Sequence, residues 1–129
     1  MVFETLDSTN AEAIRRAGNG ERGPIWFLTL KQTQSRGRRG RAWDSGEGNF
    51  SASLLIRPEG GPEQAALRSF IAALALRGAL IEVCGREDIF TLKWPNDVLL
   101  NNRKLAGILL EGGTDAFGAY LCIGIGVNL

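Results

Sequence analysis

The sequence predicts an α+β fold, a mixed and largely antiparallel sheet with helices packed on one face. Three observations predict it. Apolar runs at Phe90 to Trp94, Val98 to Leu100 and Leu105 to Leu110 follow one another too closely for anything but hairpin strands. A long stretch, Glu63 to about Val83, carries apolar residues at Leu67, Phe70, Ile71, Leu74 and Leu80, a spacing that fits a helix lying on a sheet. Strands that arrive in hairpins, with helices between the others, make a mixed sheet rather than a parallel one.

Taken in order, Thr9 and Glu12 have the spacing of a capping box, hydroxyl to the N3 amide and carboxylate back to the cap amide. The helix they open runs from about Asn10 to Ala17 and ends near Gly18 and Gly20, residues suited to left-handed positions past a helix end. Ile25 to Lys31 is a short, mostly apolar strand. A polar loop rich in glycine and arginine, Gln32 to Asn49, follows. Phe50 to Ile56 alternates apolar with small polar residues, as a half-buried strand does. The run Arg57-Pro58-Glu59-Gly60-Gly61-Pro62 then turns the chain into the long helix. Asn101-Asn102 suits a tight turn between the last two of the clustered strands, because asparagine tolerates positive φ. A loop starts at Gly112, and Ala119 to Val127 is the last strand.

Composition narrows the chemistry. The 129 residues fit one domain or less, with 44% hydrophobic and 22% charged residues and a net charge of +1. Such a balance argues against bulk electrostatic attachment to nucleic acid. With no histidine, a zinc site or a histidine-based triad is effectively excluded. Cys84 and Cys122 read as two buried free thiols in a reducing compartment. The N-terminus has no signal-peptide pattern, and Arg68 and Arg77 interrupt the most apolar stretch, so a cytoplasmic protein is expected.

Four segments carry chemistry. Gln32 to Trp43 places four arginines within six residues, separated by glycines and followed by a tryptophan. Glycines let backbone approach a ligand, arginine forks match carboxylate and phosphate oxygens, and the indole offers a flat face. An anionic ligand, a single RNA strand or solvent alone would each suit this loop. Lys93-Trp94-Pro95-Asn96-Asp97 is a poor core sequence; Pro95 ends the strand so that Lys93 can neutralise phosphate, Asn96 can hydrogen-bond and Asp97 can bind Mg²⁺ directly or through water. In Lys104 to Glu111, Gly107 marks close approach of a ligand or another backbone. In Gly124-Ile125-Gly126-Val127-Asn128, alternate glycines empty one strand face for a planar ring, with Asn128 beside it. This is not a dinucleotide fingerprint, because no helix follows and the third glycine is absent.

Together and in order, these segments resemble the catalytic domain of biotin protein ligases. Asp7-Ser8-Thr9-Asn10 is similar to the family's DSTN, and Gln32 to Arg41 to its Gly-Arg loop, with Ser35 where the family's first loop glycine stands. Lys93 to Asp97 is similar to KWPND, Lys104 to Leu109 to KLAGIL, and Gly124 to Asn128 to GIGVN. The resemblance implies the biotin–lipoate ligase fold, similar to class II aminoacyl-tRNA synthetases. It implies a reaction in which the biotin carboxylate attacks the α-phosphate of ATP and a carrier lysine then attacks the mixed anhydride. Residue by residue, Ser8, Thr9, Asn10 and Gln32 match biotin-binding positions, joined by Lys104 and Gly107. Arg36, Gly37 and Arg38 match the loop that closes over biotin and the adenylate, and Arg41 and Trp43 match positions that order around the adenylate. Lys93 and Lys104 match the lysines near the reacting groups and, with Arg38, make the expected catalytic set. Asn96 and Asn128 match the nucleotide side.

Implied with these are ATP, biotin and Mg²⁺, and a partner in the biotin carboxyl carrier protein of acetyl-CoA carboxylase; neither DNA nor membrane is expected. Residues 1–129 read as the N-terminal portion of one catalytic domain, with no winged-helix segment before it and no SH3-like barrel after it. Truncation of that kind would leave apolar surface and a sheet edge uncovered, which predicts self-association into a homodimer. The alternative is a biotin- or nucleotide-binding module without full transferase activity. A lipoate ligase is the related enzyme, and the Gly-Arg loop and KWPND favour biotin over it.

Overall fold

The computed structural model describes residues 1–129, the side chains of residues 62, 63, 65 and 66 excepted. Seven strands form one sheet: β1 (Val2–Leu6), β2 (Ile25–Gln32), β3 (Phe50–Ile56), β4 (Phe90–Lys93), β5 (Asp97–Leu100), β6 (Arg103–Asp115) and β7 (Gly118–Val127), in the order β1-β2-β3-β7-β6-β5-β4. Only β1 and β2 pair in parallel; the other five pairings are antiparallel. The helices are α1 (Thr9–Gly18) and α2 (Pro62–Cys84). The mixed, largely antiparallel α+β sheet is therefore as the sequence predicts. Strand β1 had no sequence signal: it is an edge strand whose residues are exposed or half-buried, so no alternation marks it.

The helices were expected on one face and lie on opposite faces. Strand alternation decides this. Leu55 and Cys122 pack with Ala13 and Ala17 of α1, whereas Leu121 and Ile123 pack with Ala73 of α2. Adjacent residues of one strand point to opposite sides of the sheet, so each face has its own cover. The physical reason is that β3 and β7 carry apolar residues on both sides, and each must be kept from water.

The helix termini also differ from their sequence reading. Ser8, not Thr9, caps α1: it is extended (φ −157°) and its Oγ accepts from Ala11 N at 3.4 Å. Glu12 turns away from the cap to Arg15 and Arg16, at 2.9 and 2.7 Å. Two hydroxyls stand side by side here, and the residue in β conformation takes the cap. Gly20 adopts the left-handed conformation, as expected. In α2, the stripe read as core is largely outside: Leu67, Ile71 and Leu74 are exposed, and Ala72, Ala73, Leu76 and Leu80 face the sheet. This helix is apolar almost all round, so periodicity could not choose a face. The small alanines let its axis approach the strands.

The loop expected to start at Gly112 is strand instead, because β6 runs on to Asp115 and stays paired with β7 there; the asparagine turn is as read. Asn101 and Asn102 both have positive φ (47° and 63°) and close the β5–β6 hairpin. Cys122 is buried, but Cys84, in the last turn of α2, is exposed and corrects the expectation of two buried thiols. No described helix is long and apolar enough to cross a membrane.

Candidate active site

The α1 face of the sheet carries a row of small residues across three strands, ended by Asp97 on the fourth. The ladder aligns Ser51 with Gly126, Gly126 with Gly107, and Gly107 with Asp97. A second row aligns Ser53 with Gly124 and Gly124 with Leu109. Only glycine and serine leave the strand surface low, and the result is a cleft of about 210 Å³ between this floor, the start of α1 and the Gly-Arg loop. The alternation in Phe50 to Ile56 takes on a different meaning here. Its polar positions, Ser51 and Ser53, face the cleft wall and are buried, not turned to water.

Ser8, Thr9, Asn10 and Gln32 all line the cleft, and Thr9, Asn10 and Gln32 are linked through Ser51 and Ser53 of the sheet. Thr9 N donates to Gln32 Oε1 at 2.9 Å, Gln32 Nε2 donates to Ser51 Oγ at 3.3 Å, and Ser53 Oγ lies 2.5 Å from Asn10 Oδ1. Asn10 Nδ2 donates to Leu109 O at 3.3 Å and to Glu111 Oε2 at 2.8 Å. The amide lies against Gly124, where a Cβ would overlap it. Asp7 supports this corner from outside: it accepts from Ser8 N at 2.8 Å and from both terminal nitrogens of Arg15. The Arg15 guanidinium holds its carboxyl down at about 2.

The loop is a compact turn. Arg36 bridges to Ala42, Gly37 N donates to Arg41 O at 2.7 Å, and Ser35 Oγ donates to Trp43 O at 2.6 Å. A single 3₁₀ turn, Arg38–Gly40, forms its tip, with Arg39 at φ 57° and Gly40 at φ 69°. The Ser35 bond clasps the base of the loop. The loop's cations meet counter-groups of the protein itself. Arg36 pairs with Glu111 at 2.9 Å, and Arg38 Nη1 donates to Asn96 Oδ1 at 3.2 Å. Lys104, on the facing strand, pairs with Asp97 at 3.0 Å. Gly37, Arg38 and Arg41 line the cleft with them.

Trp43 fills the space that the glycines open. Its ring lies over Gly107 and Gly126, near enough that a Cβ on either would press into it, with Lys104 Nζ 5.3 Å from the ring centroid. The close approach read from Gly107 is thus made by the chain's own indole. Asn96 is buried, with its side-chain nitrogen bonded to Ile108 O, and it lines the cleft beside Asp97.

Two expected residues stand outside. Lys93 is exposed at the end of β4, and Asn128 accepts from Asn49 Nδ2 at 3.1 Å, away from the cleft lining. Three residues that do not line the cleft but hydrogen-bond to side chains that do were missed. Ser51 and Ser53 looked like a solvent-facing alternation. Glu111 sits within a noted segment but carried no separable signal, since one carboxylate in a strand is ordinarily a surface residue. Among the described residues no cluster of three or more His, Cys, Asp or Glu could hold a metal. Asp97 is one carboxylate already paired with Lys104, so the donor set does not make a resident Mg²⁺ site.

The chain is similar to known proteins over nearly its whole length. A model of the biotin/lipoate A/B protein ligase family matches residues 3–128. A biotin–[acetyl-CoA-carboxylase] ligase of Paracoccus denitrificans is 52% identical over 129 residues, 99% of this chain and 53% of that protein. The bifunctional ligase/repressor BirA of Escherichia coli (strain K12) is 37% identical over 130 residues, 99% of this chain and 40% of that protein. The biotin protein ligase of Leishmania major in complex with biotinyl-5-AMP superposes with a TM-score of 0.82 at 30% identity, over 99% of this chain and 56% of that one. That of Aquifex aeolicus with biotin and ATP gives 0.78 at 32%, over 100% and 51%. The chain spans about half the length of the curated relatives it matches.

Proposed function

This chain belongs to the biotin/lipoate A/B protein ligase family, and from that premise we propose that its cleft activates biotin with ATP. The carboxylate of biotin attacks the α-phosphorus, the bond to the bridging oxygen breaks, and pyrophosphate leaves with biotinyl-5′-AMP held in the cleft. A lysine amine of a biotin carboxyl carrier protein of acetyl-CoA carboxylase then attacks the anhydride carbonyl, and AMP departs.

The observation that carries this reading is the convergence of Arg36, Arg38, Arg41 and Lys104 on a floor of glycines. Two anions must meet there, and cations fixed in a shielded site offset their repulsion and stabilise charge on the transition state. In the proposed roles, Ser8, Thr9, Asn10 and Gln32 bind the biotin head, whose neutral polar edge suits neutral hydrogen-bonding groups. Arg36, Gly37 and Arg38 close over it. Lys104 leaves Asp97 for the reacting carboxylate and phosphate, with Gly107 admitting the chain of the ligand beside it. Arg41, Trp43 and Asn96 take the adenylate.

A pocket for a ligand of this size commonly holds about 300–1,000 Å³, more than the 210 Å³ found here. Occupation therefore involves displacement of Trp43 from the glycine floor, and the nucleotide would extend toward Lys93 and Asn128. Mg²⁺ in this reading arrives with the triphosphate as part of the substrate, and Asp97, which lines the cleft, is the carboxylate placed to meet it once Lys104 has turned away.

Titration calorimetry with biotin, with ATP, and with both together tests the binding half of this proposal, and labelling of carrier protein tests the transfer. Biotin binding, with ATP binding strengthened by biotin and label on the carrier, is the expected result. Absence of binding of either ligand contradicts the reading; binding without carrier labelling restricts the chain to activation.

A further inference from the structure

Glu111 stands on β6, opposite Cys122 in the ladder, and its one carboxylate meets two parts of the cleft. Oε2 accepts from Asn10 Nδ2 at 2.8 Å, and the two oxygens lie 2.9 and 3.0 Å from Arg36 Nη2. Asn10 belongs to the start of α1 and Arg36 to the Gly-Arg loop, so residues 10, 36 and 111 tie together elements far apart in sequence. A carboxylate can only accept hydrogen bonds, whereas a carboxamide presents a donor end and an acceptor end. Glu111 and the carbonyl of Leu109 therefore fix the nitrogen of Asn10 on one side, and the hydroxyl of Ser53 meets its oxygen on the other. With both amide hydrogens engaged, Asn10 can offer an incoming ligand only the remaining acceptor capacity of Oδ1.

We propose that Glu111 is a positioning residue that sets the carboxamide of Asn10 on the cleft wall and, through Arg36, holds the Gly-Arg loop against that wall. The inference rests on the reading of the cleft as a biotin site, and it adds a residue whose effect passes through two others. The pair with Arg36 is partly exposed, with side chains 39% and 29% accessible, so the loop is held lightly and can still move over a ligand. The contact with Asn10 is the more sheltered half, since Asn10 is buried. One arm thus fixes what the ligand is offered, and the other fixes where the lid rests.

The two arms separate in Glu111→Gln and Glu111→Ala. Glutamine keeps an acceptor for Asn10 but loses the charge that holds Arg36; alanine loses both. Trypsin cuts after arginine, so cleavage within residues 36–41 of the ligand-free protein reads loop tethering without any ligand. We expect cleavage about three- to fivefold faster in both variants, the span of an exposed ion pair. Melting temperature should stay within about 2 °C of wild type in Glu111→Gln, which keeps an acceptor for Asn10, and fall by roughly 3–6 °C in Glu111→Ala, which leaves that buried amide short of a partner. Biotin affinity measured by calorimetry should fall about tenfold in Glu111→Ala and much less in Glu111→Gln, the cost of freeing a buried carboxamide. In the double variant with Asn10→Ala, the Glu111→Ala loss should vanish, because the residue it acts through is gone.

Unchanged cleavage in both variants would remove the tie to the loop. Additive losses in the double variant would remove the action through Asn10. A wild-type chain that binds no biotin would instead overturn the biotin reading, and the trypsin comparison would still decide the loop tie by itself.

Discussion

Strands β3, β6 and β7 are built twice over, once for each face. On the α2 side they present Leu54, Ile56, Ile108, Leu110, Leu121 and Ile123, branched side chains that fill space against alanines of the helix. On the α1 side the same strands present Ser51, Ser53, Gly107, Gly124 and Gly126, which leave space. Neither face could do the other's work: an aliphatic row would fill the cleft, and a glycine row would leave α2 with nothing to bury. The period of two in a strand lets one segment specify a core and a site together.

The comparison breaks most visibly at the charge that the open face collects. Lys104→Ala should lower biotin-dependent pyrophosphate release about 10²- to 10³-fold, the usual effect of removing one preorganised charge partner at a reacting centre. Its side chain is 47% accessible, so the fold should persist; circular dichroism beside the rate assay checks both. Next comes an exchange of volume between faces. Gly124→Ala should weaken biotin binding about ten- to a hundredfold, because the added methyl group enters the space of the pinned Asn10 amide. Ile123→Ala, one residue earlier and on the other face, should cost about 2–4 kcal/mol of stability. Folded protein should then still bind biotin. Denaturant titration with calorimetry on each variant distinguishes these two outcomes.

A smaller effect sharpens the contrast at the cysteines. Cys122 lies under α1, where burial and then the charge of Glu111 push its thiol up to about 12. Cys84 is exposed. Native protein should therefore expose one thiol to a coloured disulfide reagent and denatured protein two. The smallest effect is at the cap. Asp7 is held at about 2, against 3.8 when free, by Arg15 and by Ser8 N–H. Its contribution to stability is full above the free value and is lost as pH falls through about 2. The pair is half-exposed, so the contribution is about 1 kcal/mol or less. Asp7→Asn should flatten the acid limb of melting temperature against pH and leave the neutral region almost unchanged.

The sequence made the late hairpins readable because Asn101-Asn102 and the closely spaced apolar runs are local signals. The family segments marked most of the cleft for the same reason, each being a short string. What escaped was relational. Which side of α2 meets the sheet depends on Ala72 and Ala73 fitting the strands beneath, and Leu67, Ile71 and Leu74 looked equally suitable. That Ser8 caps α1 rather than Thr9 depends on Thr9 being drawn to Gln32 and Ser53. The burial of Ser51 and Ser53, and the two contacts of Glu111, exist only once distant segments meet. Trp43 was read as a flat face for a ligand, yet which ring the glycines would receive was not written in either segment alone.

Pyrophosphate release on mixing the chain with ATP, with and without biotin, most directly tests whether the open face is a site of activation. The account predicts release that depends on biotin, saturates with it, and falls about 10²- to 10³-fold in Lys104→Ala while the variant remains folded. Release that ignores biotin, or that survives unchanged in Lys104→Ala, would contradict it.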